Sequence, residues 1–158
     1  MPKRSAGLLV YRWVDTEPEV LLVHPGGPYW VKKDDGAWSL PKGEYEPDED
    51  PLEVALREFR EEIGHEPPDA SSPALLGELL QPSGKRVVAW ALRGNLDVGT
   101  VRSNTFTMEW PPGSGRTGEF PEVDRADWFA LETARRKLLR GQVGFLDRLS
   151  EVLDDMKS

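Results

Sequence analysis

Two kinds of hydrophobic pattern divide the chain. Short apolar runs bounded by turn residues predict strands, and longer stretches with apolar positions at helical spacing predict helices. Ser5 to Val14 is rich in Leu, Val, Tyr and Trp and predicts a first strand. A turn at Asp15-Thr16-Glu17-Pro18 and the run Glu19 to His24 predict its hairpin partner. Pro25 to Gly36 reads as a loop, and Trp38-Ser39-Leu40 as a short strand leading into a turn at Gly43. After a loop at Pro67 to Pro73, Leu75 to Gln81 and Lys85 to Leu92 predict a second hairpin around Pro82-Ser83-Gly84. Asn104 to Trp110 predicts a strand, the Gly/Pro segment after it a mobile loop, and Asp127 to Leu131 a last short strand. From Glu132 to Met156 the pattern turns helical, with a break near Gly141 to Gly144.

The strongest helical pattern lies between Asp50 and Gly64. Asp50 can cap free N–H groups, Pro51 suits the first helical position, and Glu53 stands where a capping box places a carboxylate. Gly64 ends the helix, and Pro67-Pro68 block its continuation. Leu52, Ala55, Leu56, Phe59 and Ile63 form one apolar face. At about 100° per residue, Glu58, Glu61 and Glu62 crowd onto a neighbouring face. Such carboxylates repel one another, and like charges at i,i+4 cost a helix a few tenths of a kcal/mol per pair. A solvated acidic face is the plain reading of this run. A bound cation is the other reading, and oxygen donors of this kind suit Mg²⁺ or Mn²⁺ rather than zinc. Strands around one central helix, with a C-terminal helix besides, predict a mixed sheet with helices on both sides.

Composition narrows the function. The net charge of −8 argues against a general nucleic-acid binder or an acidic-membrane binder. With no cysteine, disulfides, thiol nucleophiles and cysteine zinc sites are excluded. The apolar run from Ala6 to Val10 is too short for a signal peptide, and no stretch is long enough to span a membrane. The expectation is one domain over residues 1–158, cytoplasmic, as monomer or homodimer. His24 and His65 lack H-E-x-x-H spacing and read as loop residues. Ser39 to Lys42 spells S-x-x-K, but its companion motifs are absent.

Gly43, Glu49 and the run Arg57-Glu58-Phe59-Arg60-Glu61-Glu62-Ile63-Gly64 together resemble the Nudix box, G-x5-E-x7-R-E-U-x-E-E-x-G-U, where U is bulky and apolar. Every fixed identity matches; His65 departs at the final U, a packing position. The flanks resemble the asymmetric diadenosine tetraphosphate hydrolase branch of that family. Arg4 to Arg12 is similar to the first strand of that branch, and Trp38 to Gly43 to its W-x-x-P-K-G approach to the box. Glu122 before Trp128 and the tail from Trp128 to Leu149 are similar as well.

The resemblance implies an α/β fold, a Nudix-type α/β/α sandwich with a central mixed β-sheet. It implies metal-dependent hydrolysis of a nucleoside diphosphate linked to another group. Glu58, Glu61 and Glu62, with the Gly43 carbonyl, are then the expected metal ligands for Mg²⁺ or Mn²⁺. Arg57 is expected to pair with Glu49 and lock the loop to the helix. Glu61, or an outside carboxylate such as Glu122 or its rival Glu119, is expected to activate water. Lys42 and Arg4 are candidate phosphate contacts, with Lys32, Lys33 and Arg86 weaker ones. Phe106 and Trp110, besides Trp30 and Trp90, are candidates to stack on a base. A dinucleoside polyphosphate is the first choice of substrate. Nucleoside triphosphates, oxidised nucleotides, ADP-ribose, capped RNA ends and a non-catalytic nucleotide sensor are the alternatives, which share the same box.

Overall fold

A computed structural model describes residues 3–68 and 72–157. Residues 69–71, in the expected Pro67–Pro73 loop, lie outside the described residues. In chain order the strands and helices are β1 (Arg4–Val14), β2 (Glu17–Pro25), β3 (Lys42–Glu44), α1 (Pro51–Ile63), β4 (Ala74–Leu80) and β5 (Arg86–Arg93). They continue with β6 (Thr105–Glu109), β7 (Thr117–Pro121), β8 (Val123–Ala130), α2 (Leu131–Lys137) and α3 (Gly144–Lys157).

The main sheet runs β4-β5-β1-β2-β8, with β3 pairing on β1. β1 and β5 are parallel and every other pairing is antiparallel, so the sheet is mixed. Successive side chains of β1 go to opposite faces, as strand geometry requires. Ala6, Leu8 and Val10 meet Val54, Ala55, Phe59 and Ile63 of α1 on one face. Leu9 and Tyr11 meet Ala134, Phe145, Leu146 and Leu149 of the C-terminal helices on the other. The fold is thus the α/β/α sandwich with a mixed central sheet that the sequence implied. Among the described residues no helix is long and apolar enough to cross a membrane.

Several expectations need correction. Trp38-Ser39-Leu40 is not a regular strand: Trp38 and Ser39 make only isolated bridges, to Leu138 and Val23, and the strand proper begins at Lys42. Pro41, without an N–H, interrupts the ladder there. The segment after Trp110 is the turn of a hairpin, because Thr117–Pro121 forms a strand that the sequence reading missed and pairs with β6 in a separate two-stranded sheet. With Gly118 and Pro121 in only five residues, that strand carries little β signal. β8 starts at Val123, earlier than the expected Asp127, since Asp124, Arg125 and Asp127 obscure its alternation. The C-terminal helix breaks from Leu138 onward, a little before the expected glycines. On α1, Val54 is buried, while Leu52 and Leu56 are only half-buried. His24 is not in a loop: it lies in β2 and is completely buried, with Nδ1 2.8 Å from Asp124 Oδ1 and Nε2 2.5 Å from the Lys33 carbonyl.

Buried Gln142 takes over the hydrogen bonding that Pro41 disrupts. Its Oε1 accepts from the Leu40 N–H at 3.1 Å, and its Nε2 donates to Ser39 Oγ at 3.1 Å. This holds residues 39–40 just before the Gly43 turn. Gln142→Leu would strand the buried Leu40 N–H, at a cost of about 1–3 kcal/mol. Chemical denaturation is expected to show a loss of that size, and an unchanged midpoint would mean another acceptor replaces the amide.

Candidate active site

The acidic face is built on α1. Asp50 caps the helix, its Oδ1 accepting from the Leu52 N–H at 3.1 Å, and Pro51 follows in the first turn. Gly64 closes it in the left-handed region at φ 79°. A side chain at Gly64 would also stand 2.3 Å from the Arg102 carbonyl, so the crossing chain needs a glycine here.

β3 brings the box loop back against this face. The Lys42 N–H donates to Glu62 Oε2 at 2.8 Å. A Cβ on Gly43 would lie 2.1 Å from Glu58 Cδ and 2.4 Å from its Oε1, so only glycine lets that carboxylate approach the backbone. Arg57 faces Glu49 at 3.4 Å and Glu58 at 3.9 Å, spanning loop and helix with loose contacts. Glu49 itself accepts from the Glu46 N–H at 2.9 Å, which is the main cause holding its carboxyl below the usual range.

Glu122 arrives by a longer route. The Arg102 and Asn104 N–H groups donate to the Ile63 and Glu61 carbonyls, which a helix end leaves free. The Glu122 N–H then donates to the Asn104 carbonyl at 2.8 Å, and the Gly26 N–H to the Glu122 carbonyl at 3.0 Å. Ser103 Oγ adds bonds to both the N–H and the carbonyl of Val123. Glu119, the rival, sits opposite Thr107 on the exposed face of the β6–β7 hairpin.

The electrostatics identify these carboxylates as one group. Burial pushes Glu62 up to about 8; Glu58 and Glu122 push it further, while the Lys42 N–H and ammonium oppose the rise. Glu58 is raised by burial first and then by Glu61, with Arg57 opposing. Glu122 is raised by burial and by Glu61. Lys42 is lowered, mainly by burial, although Glu62 pulls the other way.

Among the described residues, no three carboxylates or imidazoles converge into a ready coordination shell. The residues nevertheless fit a hard divalent ion: the donors are all oxygens, the carboxylates repel one another, and Gly43 leaves backbone bare beside Glu58.

The other candidates are more dispersed. Phe106 and Trp110 lie on the half-buried face of the hairpin, against the loop after β2. A Cβ at Gly27 would meet Phe106 at 3.0 Å, and Tyr29 packs edge-on against Trp110 at 5.1 Å. Trp30 packs toward the opposite core, Trp90 toward the α1 core, and Arg86 pairs with Glu78. Lys32 is exposed, and the Lys33 ammonium lies over the Trp30 ring. Arg4 opens instead on a cavity beside the box loop, with Tyr45, which the sequence reading did not select.

A chain with this sandwich and a glutamate-rich helix facing a glycine turn belongs to the NUDIX domain family, whose pattern matches residues 1–149. Members are usually pyrophosphohydrolases, though some are non-catalytic. No curated protein matches the sequence. Among solved structures, the chain is similar to an Ap4A hydrolase of C. elegans in a binary complex, with 23% identity and a TM-score of 0.64 over 96% of this chain and 98% of that one. The NUDIX domain of Shewanella oneidensis NrtR, solved with ADP ribose, is 17% identical at a TM-score of 0.66, covering 97% and 89%. A MutT protein from Methanosarcina mazei Go1 is 22% identical at 0.59, covering 95% and 94%. At these identities the likeness concerns the fold.

The raised Glu62 makes stability depend on pH. A carboxyl with a higher pKa folded than unfolded binds more protons when folded. Its contribution is complete below the ordinary 4.5 and is lost as pH rises through about 8. Thermal melts in a chelator are expected to fall between pH values of about 5 and 8, with a much shallower fall in Glu62→Gln. Equal slopes in the two proteins would remove Glu62 from this linkage.

Proposed function

We propose that the chain is a divalent-metal-dependent pyrophosphohydrolase whose substrate is a dinucleoside polyphosphate, with diadenosine tetraphosphate as first choice. The observation that carries the reaction class is the gathering of Glu58, Glu62 and Glu122 with raised pKa values beside Glu61 and the bare backbone of Gly43. Glu58, Glu61 and Glu62, with the Gly43 carbonyl, are the residues to hold Mg²⁺ or Mn²⁺. When bound, such an ion neutralises phosphate charge and acidifies water.

The chain's own groups do the rest. Glu122 reaches the cluster from a different element, and its raised pKa suits a base that takes a proton from the attacking water. Water oxygen bonds to phosphorus, the bridging P–O bond breaks, and the leaving phosphate departs as an oxyanion. Lys42, half-buried and attracted by Glu62, would meet a phosphate oxygen. Arg57 and Glu49 tie the box loop to α1 and so keep Gly43 against Glu58. The dinucleoside choice rests on the flanking segments Trp38 to Gly43 and Glu122 to Trp128, and on aromatic surface beyond the carboxylates at the hairpin.

A sensor that binds without turnover is disfavoured because every box carboxylate is present. The test is a product analysis with Mg²⁺ or Mn²⁺ across diadenosine tetraphosphate, ordinary and oxidised nucleoside triphosphates, ADP-ribose and a cap dinucleotide. ATP plus AMP from the first substrate, at the highest kcat/KM, is the expected result. A triphosphate cleaved preferentially to monophosphate and pyrophosphate would replace the dinucleoside reading. Glu62→Gln is expected to lower kcat by about a hundredfold or more with the fold intact by circular dichroism. Near-normal turnover in that variant would sink the metal-site assignment.

A further inference from the structure

A cavity of about 600 Å³ opens beside the N-terminal end of α1, with Lys3, Arg4, Glu44, Tyr45, Pro47 and Pro51 among its walls. Its size falls within the range of small-ligand sites. It adjoins the acidic cluster: Glu44 follows Gly43, whose backbone lies against Glu58. Glu49, also on its wall, reaches Arg57, which in turn faces Glu58.

The wall chemistry selects an occupant. Three glutamates, at 44, 46 and 49, face two cations, Lys3 and Arg4, so a phosphate group is disfavoured here. Tyr45 and the two prolines supply apolar surface. Arg4 is exposed, and among the described residues its guanidinium has no hydrogen bond or ion pair, leaving a planar cation free to stack. Glu44 is shared only loosely between Lys3 and Lys85, at 3.7 and 3.8 Å. A flat heteroaromatic ring that stacks on Tyr45 or Arg4 and donates amine protons to the carboxylates satisfies all of these walls.

We propose that this cavity is the subsite for an aminopurine base of a nucleotide whose phosphates lie over the acidic cluster. This rests on the nucleotide-hydrolase reading and extends it to base recognition. The β6–β7 hairpin is tied to the other end of α1, about 20 Å away by helix length. The hairpin's aromatic surface and this cavity thus belong to opposite ends of the acidic helix, as the two ends of a dinucleoside polyphosphate require.

The test uses AMP and IMP as probes on the full chain in Mg²⁺, followed by amide chemical shifts. AMP is expected to move the amides of Lys3, Arg4, Glu44, Tyr45 and Glu46, and IMP, lacking the amine, to bind more weakly. Arg4→Ala and Tyr45→Leu are each expected to weaken AMP about fivefold or more, as loss of a stacking partner does. Because Tyr45 also packs under α1, exposed Arg4 provides the variant that does not threaten folding. Shifts confined to residues 105–121, no shift at millimolar AMP, or an unchanged affinity in Arg4→Ala would each overturn the assignment. AMP binding needs no turnover. Cavity shifts without hydrolysis would therefore sink the function reading alone, and hydrolysis without cavity shifts would sink this one alone.

Discussion

A side chain at position 43 would push the Glu58 carboxylate off the backbone, and much of the site depends on that close approach. A methyl there would overlap the Glu58 carboxyl carbon at 2.1 Å, so the Glu58 side chain would have to swing away from the turn. With glycine in place, the turn brings the Lys42 N–H onto Glu62 and the Glu58 carboxylate onto bare backbone. The β3 pairing with β1 fixes the turn in register, Gly43 opposite Ala6. Gln142, reaching across from the C-terminal helices, holds the chain two residues earlier. Both layers of the sandwich thus converge on a single turn.

That closeness is electrostatically expensive. Glu58, Glu62 and Glu122 are all pushed toward protonation by burial, and each then feels another carboxylate of the group. The opposing attractions, from Arg57 and Lys42, do not reverse any of these shifts. A fold that concentrates oxygen anions in this way is predisposed to take up a cation, since the ion removes both desolvation strain and mutual repulsion. The cost is carried by two apolar clusters on either face of the sheet, with Phe59 and Ile63 of the same helix fully buried on the face next to its acidic side.

The β6–β7 hairpin shows how a peripheral element can serve a central one. Two paired strands alone are marginal in water. This pair is held at its base by free carbonyls at the end of α1 and along its face by Tyr29 and Gly27. The same anchorage sets Glu122 beside the helix. His24 contributes from below, bonding Asp124 two residues further along and the loop that carries Tyr29.

Much of this was legible along the chain because it is local. Capping by Asp50 and Gly64, the apolar stripe of α1, the two long hairpins and the spacing of Gly43, Glu58, Glu61 and Glu62 all follow from 3.6-residue and two-residue periods and from turn chemistry. What was missed depends on distant partners. β7 and the first half of β8 carry charged, glycine or proline residues that acquire strand geometry only by pairing. His24 reads as a loop residue until Asp124 and Lys33, remote in sequence, enclose it at the end of β2. Glu122 and Glu119 are equivalent in composition. Only the docking of residues 102–104 on the helix end puts one beside the acidic cluster and the other on an exposed strand face. The sequence by itself determined the helix, its acidic face and its glycine turn, since each needs only neighbours along the chain. Which remote carboxylate, aromatic surface and cavity adjoin that face was decided by tertiary structure, because those contacts exist only once the sheet has closed.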